Sequence, residues 1–133
     1  MQESLEDKNI KQNMEQELLK EVEKAKSYLI IVEGKKDKKA LKELGFSNIF
    51  VINETGKSLG EKIEEIQKIA ENSKKTKICI LTDFDKKGKK LYLLLKSRLS
   101  EIGVKQDNTF RGILLKERVS HIEGLSSYLK SKI

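Results

Sequence analysis

The sequence predicts an α/β domain with a mainly parallel, four-stranded sheet. Three apolar runs, at residues 28–32, 48–52 and 78–82, have the length of buried strands, and a short segment from Val104 adds a weak edge strand. Segments with helical apolar spacing separate the runs. Because strands that alternate with helices form parallel sheets with right-handed crossovers, we expect a Rossmann-like domain of three layers.

Residues 1–27 predict an amphipathic helix appended to a domain that spans residues 28–133. Its apolar positions recur at helical spacing in an otherwise charged segment, at Ile10, Met14, Leu18, Val22 and Ala25. We expect this stripe to pack on the body of the domain or on a second subunit. A homodimer or a larger protein partner is therefore an expectation for this segment.

The first strand and helix of the domain have clear boundaries. Residues 28–32 (YLIIV) are continuously apolar and stop at Glu33-Gly34. A helix is predicted over residues 35–44, from the spacing of Ala40, Leu41 and Leu44. Gly45 is expected to cap its end, before the second strand at residues 48–52.

The loop at residues 53–58 (NETGKS) leads into the second helix of the domain. Ser58 and Glu61 have the spacing of a capping box, which predicts a helix as far as about residue 72. The Gly56-Lys57-Ser58 sequence lacks the glycine that a phosphate-binding P-loop carries five residues earlier, since Val51 stands there. We expect this loop to line a crevice rather than to hold a nucleotide.

The third strand is followed by the longest helix of the domain. Apolar spacing predicts a helix from Lys86 to about residue 102, which Gly103 ends. A further helix is predicted over residues 109–119. Ser120 and Glu123 predict a final one through a second capping box.

Acidic residues follow two of the predicted strands. Glu33 comes after the first strand, and Asp83 and Asp85 come after the third. In a doubly wound sheet these strand ends can flank the crevice where ligands bind, so we expect a three-carboxylate cluster. Oxygen ligands of this kind suit Mg²⁺ or Mn²⁺. The alternative is that Asp85 caps the helix that starts at Lys86, with Asp83 and Glu33 in solvent.

Two lysine quartets follow the acidic strand ends. They are Lys35, Lys36, Lys38 and Lys39, and Lys86, Lys87, Lys89 and Lys90. Both begin at predicted helix N-termini, where the helix dipole disfavours cations, so helix stability does not explain their placement. We favour binding of a phosphate backbone over a merely solvated face, and add Lys57 to the lysines that would contact nucleic acid.

Charge and composition indicate a polyanionic partner and argue against a membrane span and a disulfide. The chain has a net charge of +7, and residues 28–133 hold 23 basic and 14 acidic residues, which suggests a polyanionic partner. No apolar run approaches the roughly 18 residues of a membrane span. The single cysteine, Cys79, excludes a disulfide within the chain. We therefore expect a cytoplasmic protein that has no membrane association.

Several motifs together resemble the Toprim domain of bacterial-type primases, topoisomerases, overcoming-lysogenization-defect nucleases and ribosomal RNA maturases. They are residues 32–37 (VEGKKD), Thr55-Gly56 and residues 81–88 (LTDFDKKG). The resemblance covers residues 28–119, and the pattern is most similar to the ribosomal RNA maturase branch.

The resemblance implies a Toprim-like fold and assigns roles within it. Glu33 would be the general acid and base, and Asp83 and Asp85 would hold Mg²⁺. The loop residues of the site would be Gly34, Asp37, Thr55, Gly56 and Gly88. Topoisomerases carry a third acid where this chain has Lys87, which disfavours a two-metal topoisomerase.

The functional hypothesis is Mg²⁺-dependent phosphodiester processing of RNA or DNA by a nuclease-type protein. One alternative is a non-catalytic nucleic-acid-binding or assembly subunit, and primase-like nucleotidyl transfer is less favoured. An aspartyl phosphatase of haloacid-dehalogenase type, with Asp83 as nucleophile, fits the aspartate spacing. It fails because the motif lies on the third strand and no aspartate follows Asp107 to bind the metal.

Overall fold

The computed structural model describes residues 4–54, 56–73 and 76–117. Its elements are α1 (Leu5–Ala25), β1 (Leu29–Val32), α2 (Lys35–Glu43), β2 (Ile49–Val51), α3 (Leu59–Asn72), β3 (Ile78–Ile80), α4 (Lys86–Glu101) and α5 (Thr109–Lys116). This order confirms the predicted α/β fold with a parallel sheet. Thr55 and the predicted final helix lie outside the described residues. No helix in the described ranges is long and apolar enough to cross a membrane.

The sheet places β1 in the centre, in the order β2-β1-β3, with all strands parallel. In register, Ile30 of β1 lies opposite Ile49 of β2 and Cys79 of β3. The chain therefore moves from β1 to one neighbour and then crosses to the other side of β1. Such a reversal opens a crevice at the carboxyl ends of β1 and β3.

The prediction of a fourth strand is wrong for the described residues, which form three strands and one isolated bridge. The bridge joins Ile78 to Gln106, in parallel orientation. Beyond it, the Ile80 N–H donates to the Asn108 side-chain Oδ1 at 2.8 Å rather than to a neighbouring main chain. Because that side chain takes the hydrogen bond that a strand would have made, the chain leaves the sheet and begins α5.

Each face of the sheet is covered by its own apolar cluster. Alternate residues of β1 point to opposite faces, so Ile30 and Val32 join one cluster and Leu29 and Ile31 the other. The first cluster includes side chains of α1, α2 and α5, and the second includes side chains of α3 and α4. The sheet is thus the middle of three layers.

The second half of α1 packs on the body of the domain. Leu18, Val22 and Ala25 of the predicted stripe are buried in the first cluster, whereas Ile10 of the stripe is exposed, as is Leu5 before it. The helix also contacts α5. The predicted stripe therefore divides into a packed half and an exposed half, while the domain boundary at residue 27 stays a prediction.

Asp107 joins the two ends of the described chain. Its carboxylate accepts hydrogen bonds from the Tyr28 hydroxyl at 2.9 Å and from the hydroxyl and N–H of Thr109 at 2.6 and 3.1 Å. Lys24 on α1 lies 3.3 Å away. The bonds from Thr109 and the other donors hold the pKa of Asp107 well below its usual range, against the opposing effect of burial.

We expect Asp107→Asn to destabilise the fold by about 2 kcal/mol at pH 7, because bonds to a charged acceptor become bonds to a neutral amide. A carboxylate whose pKa is lowered by folding stabilises the fold above its ordinary pKa of about 4, and this contribution is lost as pH falls. Urea unfolding at pH 7 and pH 3 should therefore show a smaller difference from wild type at pH 3. An equal difference at both pH values would contradict the charge argument, and the exposed Glu101→Gln is the control.

Candidate active site

Glu33 and Asp83 meet at the carboxyl ends of β1 and β3. The Glu33 Oε2 accepts a hydrogen bond from the Asp83 N–H at 2.9 Å, and Glu33 is only 8% exposed. On its other side, the Glu33 carbonyl accepts from the Asn53 N–H, just after β2, at 2.9 Å. All three strand ends thus fix Glu33 at the crevice.

The surroundings of Glu33 raise its pKa. Burial is the largest cause, and the nearby carboxylates of Asp83 and Asp85 raise the pKa further. The hydrogen bond from the Asp83 N–H acts in the opposite direction and stabilises the ionised form. A carboxyl group of this kind takes up a proton more readily than an exposed glutamate does, and proton uptake is the task of a general base.

Asp85 has a structural role at the start of α4. It is the N-cap residue, and its Oδ1 accepts the Gly88 N–H at 2.7 Å. The capping alternative considered from the sequence is therefore present in the structure. The cap uses one carboxylate oxygen, and the residue itself is exposed.

Glu33 and Asp83 are the acidic residues that could hold a magnesium ion, if water and substrate complete its shell. In the described residues, no three His, Cys, Asp or Glu side chains lie close enough together to hold a metal ion, so the predicted three-carboxylate cluster is not assembled there. Mg²⁺ is commonly bound through one or two carboxylates, with water and substrate phosphate completing the shell. The adjacent Glu33 and Asp83 supply hard oxygen donors, and their mutual repulsion favours a cation.

The start of α4 is packed directly against the loop that carries Asp83. A Cβ atom built at Gly88 would lie 2.0 Å from the Asp83 carbonyl oxygen, so only glycine fits there. The buried Thr82 hydroxyl donates to the Gly88 carbonyl at 2.7 Å. The glycine of the LTDFDKKG motif thus allows a close approach that sets the position of Asp83.

The two lysine quartets begin α2 and α4, as expected. Seven of the eight lysines are exposed, and Lys38 is half-buried. Lys57 forms an ion pair with Glu65 of α3. Asp37, predicted as a loop residue of the site, is buried in the first turn of α2 and accepts the Gly34 N–H at 2.9 Å.

Two buried polar residues of the site were not predicted from the sequence. Thr82 lies at the end of the third apolar run, and the sequence pattern therefore predicts it as a strand residue without a role in the site. Arg111 is 5% exposed and lies among the apolar residues of α5. The signal available was a charged residue directly after Phe110 and two residues before Ile113, inside a stripe of apolar residues at helical spacing.

By its fold and site, the chain belongs to the class of α/β proteins that have a parallel sheet with acidic residues at neighbouring strand ends. Residues 28–114 match the Toprim domain, so the protein is a member of the Toprim domain family. This confirms the resemblance noted in the sequence.

Three similar proteins extend the comparison. The chain is 29% identical over 119 residues to a UPF0292 protein of Methanosarcina barkeri, covering 86% of this chain and 79% of that protein. It is 41% identical over 63 residues to Ribonuclease M5 of Mesoplasma florum, covering 47% of this chain and only 35% of the ribonuclease. A solved structure of a protein from Aquifex aeolicus is 34% identical, with a TM-score of 0.66, and the match covers 81% of this chain and 94% of that one.

Proposed function

We propose that the protein is a metal-dependent phosphodiesterase of nuclease type that acts on RNA or DNA. The observation that carries the proposal is the hydrogen-bonded pairing of Glu33 with Asp83 at neighbouring strand ends of a Toprim domain. The raised pKa of Glu33 adds the property that proton transfer needs. The similarity to Ribonuclease M5 over 63 residues supports a nuclease rather than another phosphoryl-transfer enzyme.

Glu33 moves the proton in the proposed reaction. Its buried carboxylate, held by the Asp83 N–H, takes a proton from the attacking water and returns one to the departing oxygen. Glu33 and Asp83 would hold Mg²⁺ or Mn²⁺, with water and substrate phosphate completing the shell. When bound, the ion neutralises charge on the scissile phosphate and orients water.

Lysines at the ends of the same strands contact the nucleic-acid backbone in this proposal. Point charges at the N-termini of α2 and α4 add to the main-chain N–H groups that helix starts present to phosphate. The set comprises Lys35, Lys36, Lys38, Lys39, Lys57, Lys86, Lys87, Lys89 and Lys90. Gly34, Asp37, Thr55, Gly56 and Gly88 are proposed to belong to the site, Asp37 and Gly88 from the first turns of α2 and α4.

The test is cleavage of structured RNA and of duplex DNA with Mg²⁺ or with EDTA. We expect cleavage of at least one substrate with Mg²⁺, its loss with EDTA, and a decrease of at least about 100-fold for Asp83→Asn. Glu101→Gln, at the exposed end of α4, should cleave as wild type does. Equal cleavage with EDTA, or by Asp83→Asn, would rule out the metal-dependent reaction.

A non-catalytic nucleic-acid-binding or assembly subunit is the second candidate. Two observations favour it. Asp85 caps α4, and no three acidic side chains lie close enough to hold a metal within the described ranges. Binding of nucleic acid that weakens steeply with salt, without turnover under any metal condition, would select this candidate. Primase-like nucleotidyl transfer would show instead as incorporation of nucleotides.

The proposed setting is the cytoplasm, with which the free and buried Cys79 is consistent. A homodimer or a larger protein partner would bind through the exposed half of α1. Among the described side chains of that half, Leu5 and Ile10 are apolar and are 76% and 51% exposed.

A further inference from the structure

We propose that Arg111 is a positioning residue of this site: it fixes the peptide group between Thr82 and Asp83 and, through that peptide, the carboxylate of Glu33. The structural part of the proposal is independent of the reaction. Its effect on catalysis rests on the proposed function.

Arg111 and Glu33 bind the two ends of one peptide group. The Arg111 Nη1 donates to the Thr82 carbonyl oxygen at 2.6 Å. The N–H of the same peptide group, which belongs to Asp83, donates to the Glu33 Oε2 at 2.9 Å. The peptide therefore lies between a cation and a carboxylate, and each of its hydrogen bonds polarises the group in the sense that strengthens the other.

Further contacts fix the guanidinium itself. It donates to the Ile80 carbonyl at 3.3 Å and to the Asp83 carbonyl at 3.4 Å. Its central carbon lies 4.6 Å from the ring centre of Phe84 and 4.2 Å from that of Tyr92. A planar guanidinium can stack on aromatic rings while its N–H groups reach several carbonyl oxygens, which a lysine ammonium cannot do.

Arg111 could either position the loop after β3 or merely fill space in the core. Its hydrogen-bond partners favour the positioning role. A side chain that only filled space would leave the loop after β3 unchanged when replaced by another of similar size. Here the donors reach the carbonyls of Thr82 and Asp83, and without them the buried Thr82 carbonyl loses a charged partner. Rotation of the peptide toward another donor would then withdraw the Asp83 N–H from Glu33.

The decisive measurement is amide hydrogen exchange by NMR in Arg111→Met. We expect protection of the Asp83 amide to fall about tenfold more than that of the Ile30 amide, which lies in the central strand and reports global opening. Arg111→Lys should not restore protection. Arg98→Met, the same substitution at an exposed position of α4, should leave both amides unchanged.

Activity gives the second readout. We expect kcat of Arg111→Met to fall about 100-fold with little change in KM, because substrate contacts are retained while the acid pair is displaced. If Arg111→Met does not fold, Tyr92→Leu removes one stacking ring and should lower Asp83 protection selectively, to a smaller degree. Protection lost equally at Asp83 and Ile30, or retained at Asp83, would overturn the positioning role. Absence of cleavage by the wild type would overturn only the proposed function.

Discussion

Glu33→Gln is expected to lower the rate of metal-dependent cleavage by about 1,000-fold. The substitution keeps an oxygen that can accept the Asp83 N–H but removes the group that takes up the proton, which is worth roughly 10²- to 10⁴-fold in rate. The check is kcat under saturating substrate and Mg²⁺, with the exposed Glu64→Gln of α3 as control. Cleavage within threefold of wild type would remove Glu33 from the reaction.

The same substitution should not destabilise the fold at neutral pH. Folding raises the pKa of Glu33, chiefly through burial, so its ionised form opposes folding above the ordinary pKa of a glutamate. Wild type should therefore lose stability relative to Glu33→Gln as pH rises through the raised pKa. Urea unfolding from pH 4 to pH 8 measures this difference, and a Glu33→Gln protein that is less stable at pH 8 would contradict it.

Gly88→Ala is expected to destabilise the protein by about 3 kcal/mol and to decrease cleavage at least about 100-fold. The new Cβ would lie 2.0, 2.6 and 2.9 Å from the carbonyl oxygen, carbonyl carbon and Cα of Asp83, which are main-chain atoms that cannot move independently. The start of α4 or the Asp83 loop must shift, at the cost of overpacking and of the Glu33 contact.

A matched glycine provides the control for this prediction. Gly112 lies within α5, and a Cβ there would meet no atom of the described residues within 4 Å. Gly112→Ala should raise stability by about 0.5 to 1 kcal/mol, because alanine loses less backbone entropy in a helix. Urea unfolding of both variants measures the contrast. Equal stability of the two variants would show that the main chain near Asp83 can shift to accept a Cβ at position 88 without loss of stability.

The pairing of Glu33 with Asp83 could be anticipated because both follow apolar runs that end abruptly. In a doubly wound sheet the first strand lies beside the third, so the residues that follow these two strands are expected to meet. Arg111 could not be found in this way, since it lies 28 residues from Asp83 and its environment depends on how α5 packs. The fourth strand failed for a related reason, because one side chain, Asn108, took the hydrogen bond that extended pairing required.

Local sequence patterns can predict that Asp85 caps a helix, but they cannot predict whether it is a metal ligand. A cap needs only the N–H three residues ahead, so the sequence is sufficient to suggest it, and the bond to Gly88 is present. A metal ligand needs partners from other strands. The carboxylate spacing along the chain does not fix their separation in space.

The separation of Glu33 and Asp83 along the chain determines when the acid pair can form during synthesis. Asp83 leaves the ribosome 50 residues after Glu33, and the buried Arg111, which binds the peptide group between Thr82 and Asp83, comes later still. The cluster that covers this face likewise combines Leu18 with Phe110 and Leu114. Nascent chains that stop before α5 therefore lack the arginine and much of this apolar layer. Completion of the site is coupled to release of nearly the whole domain.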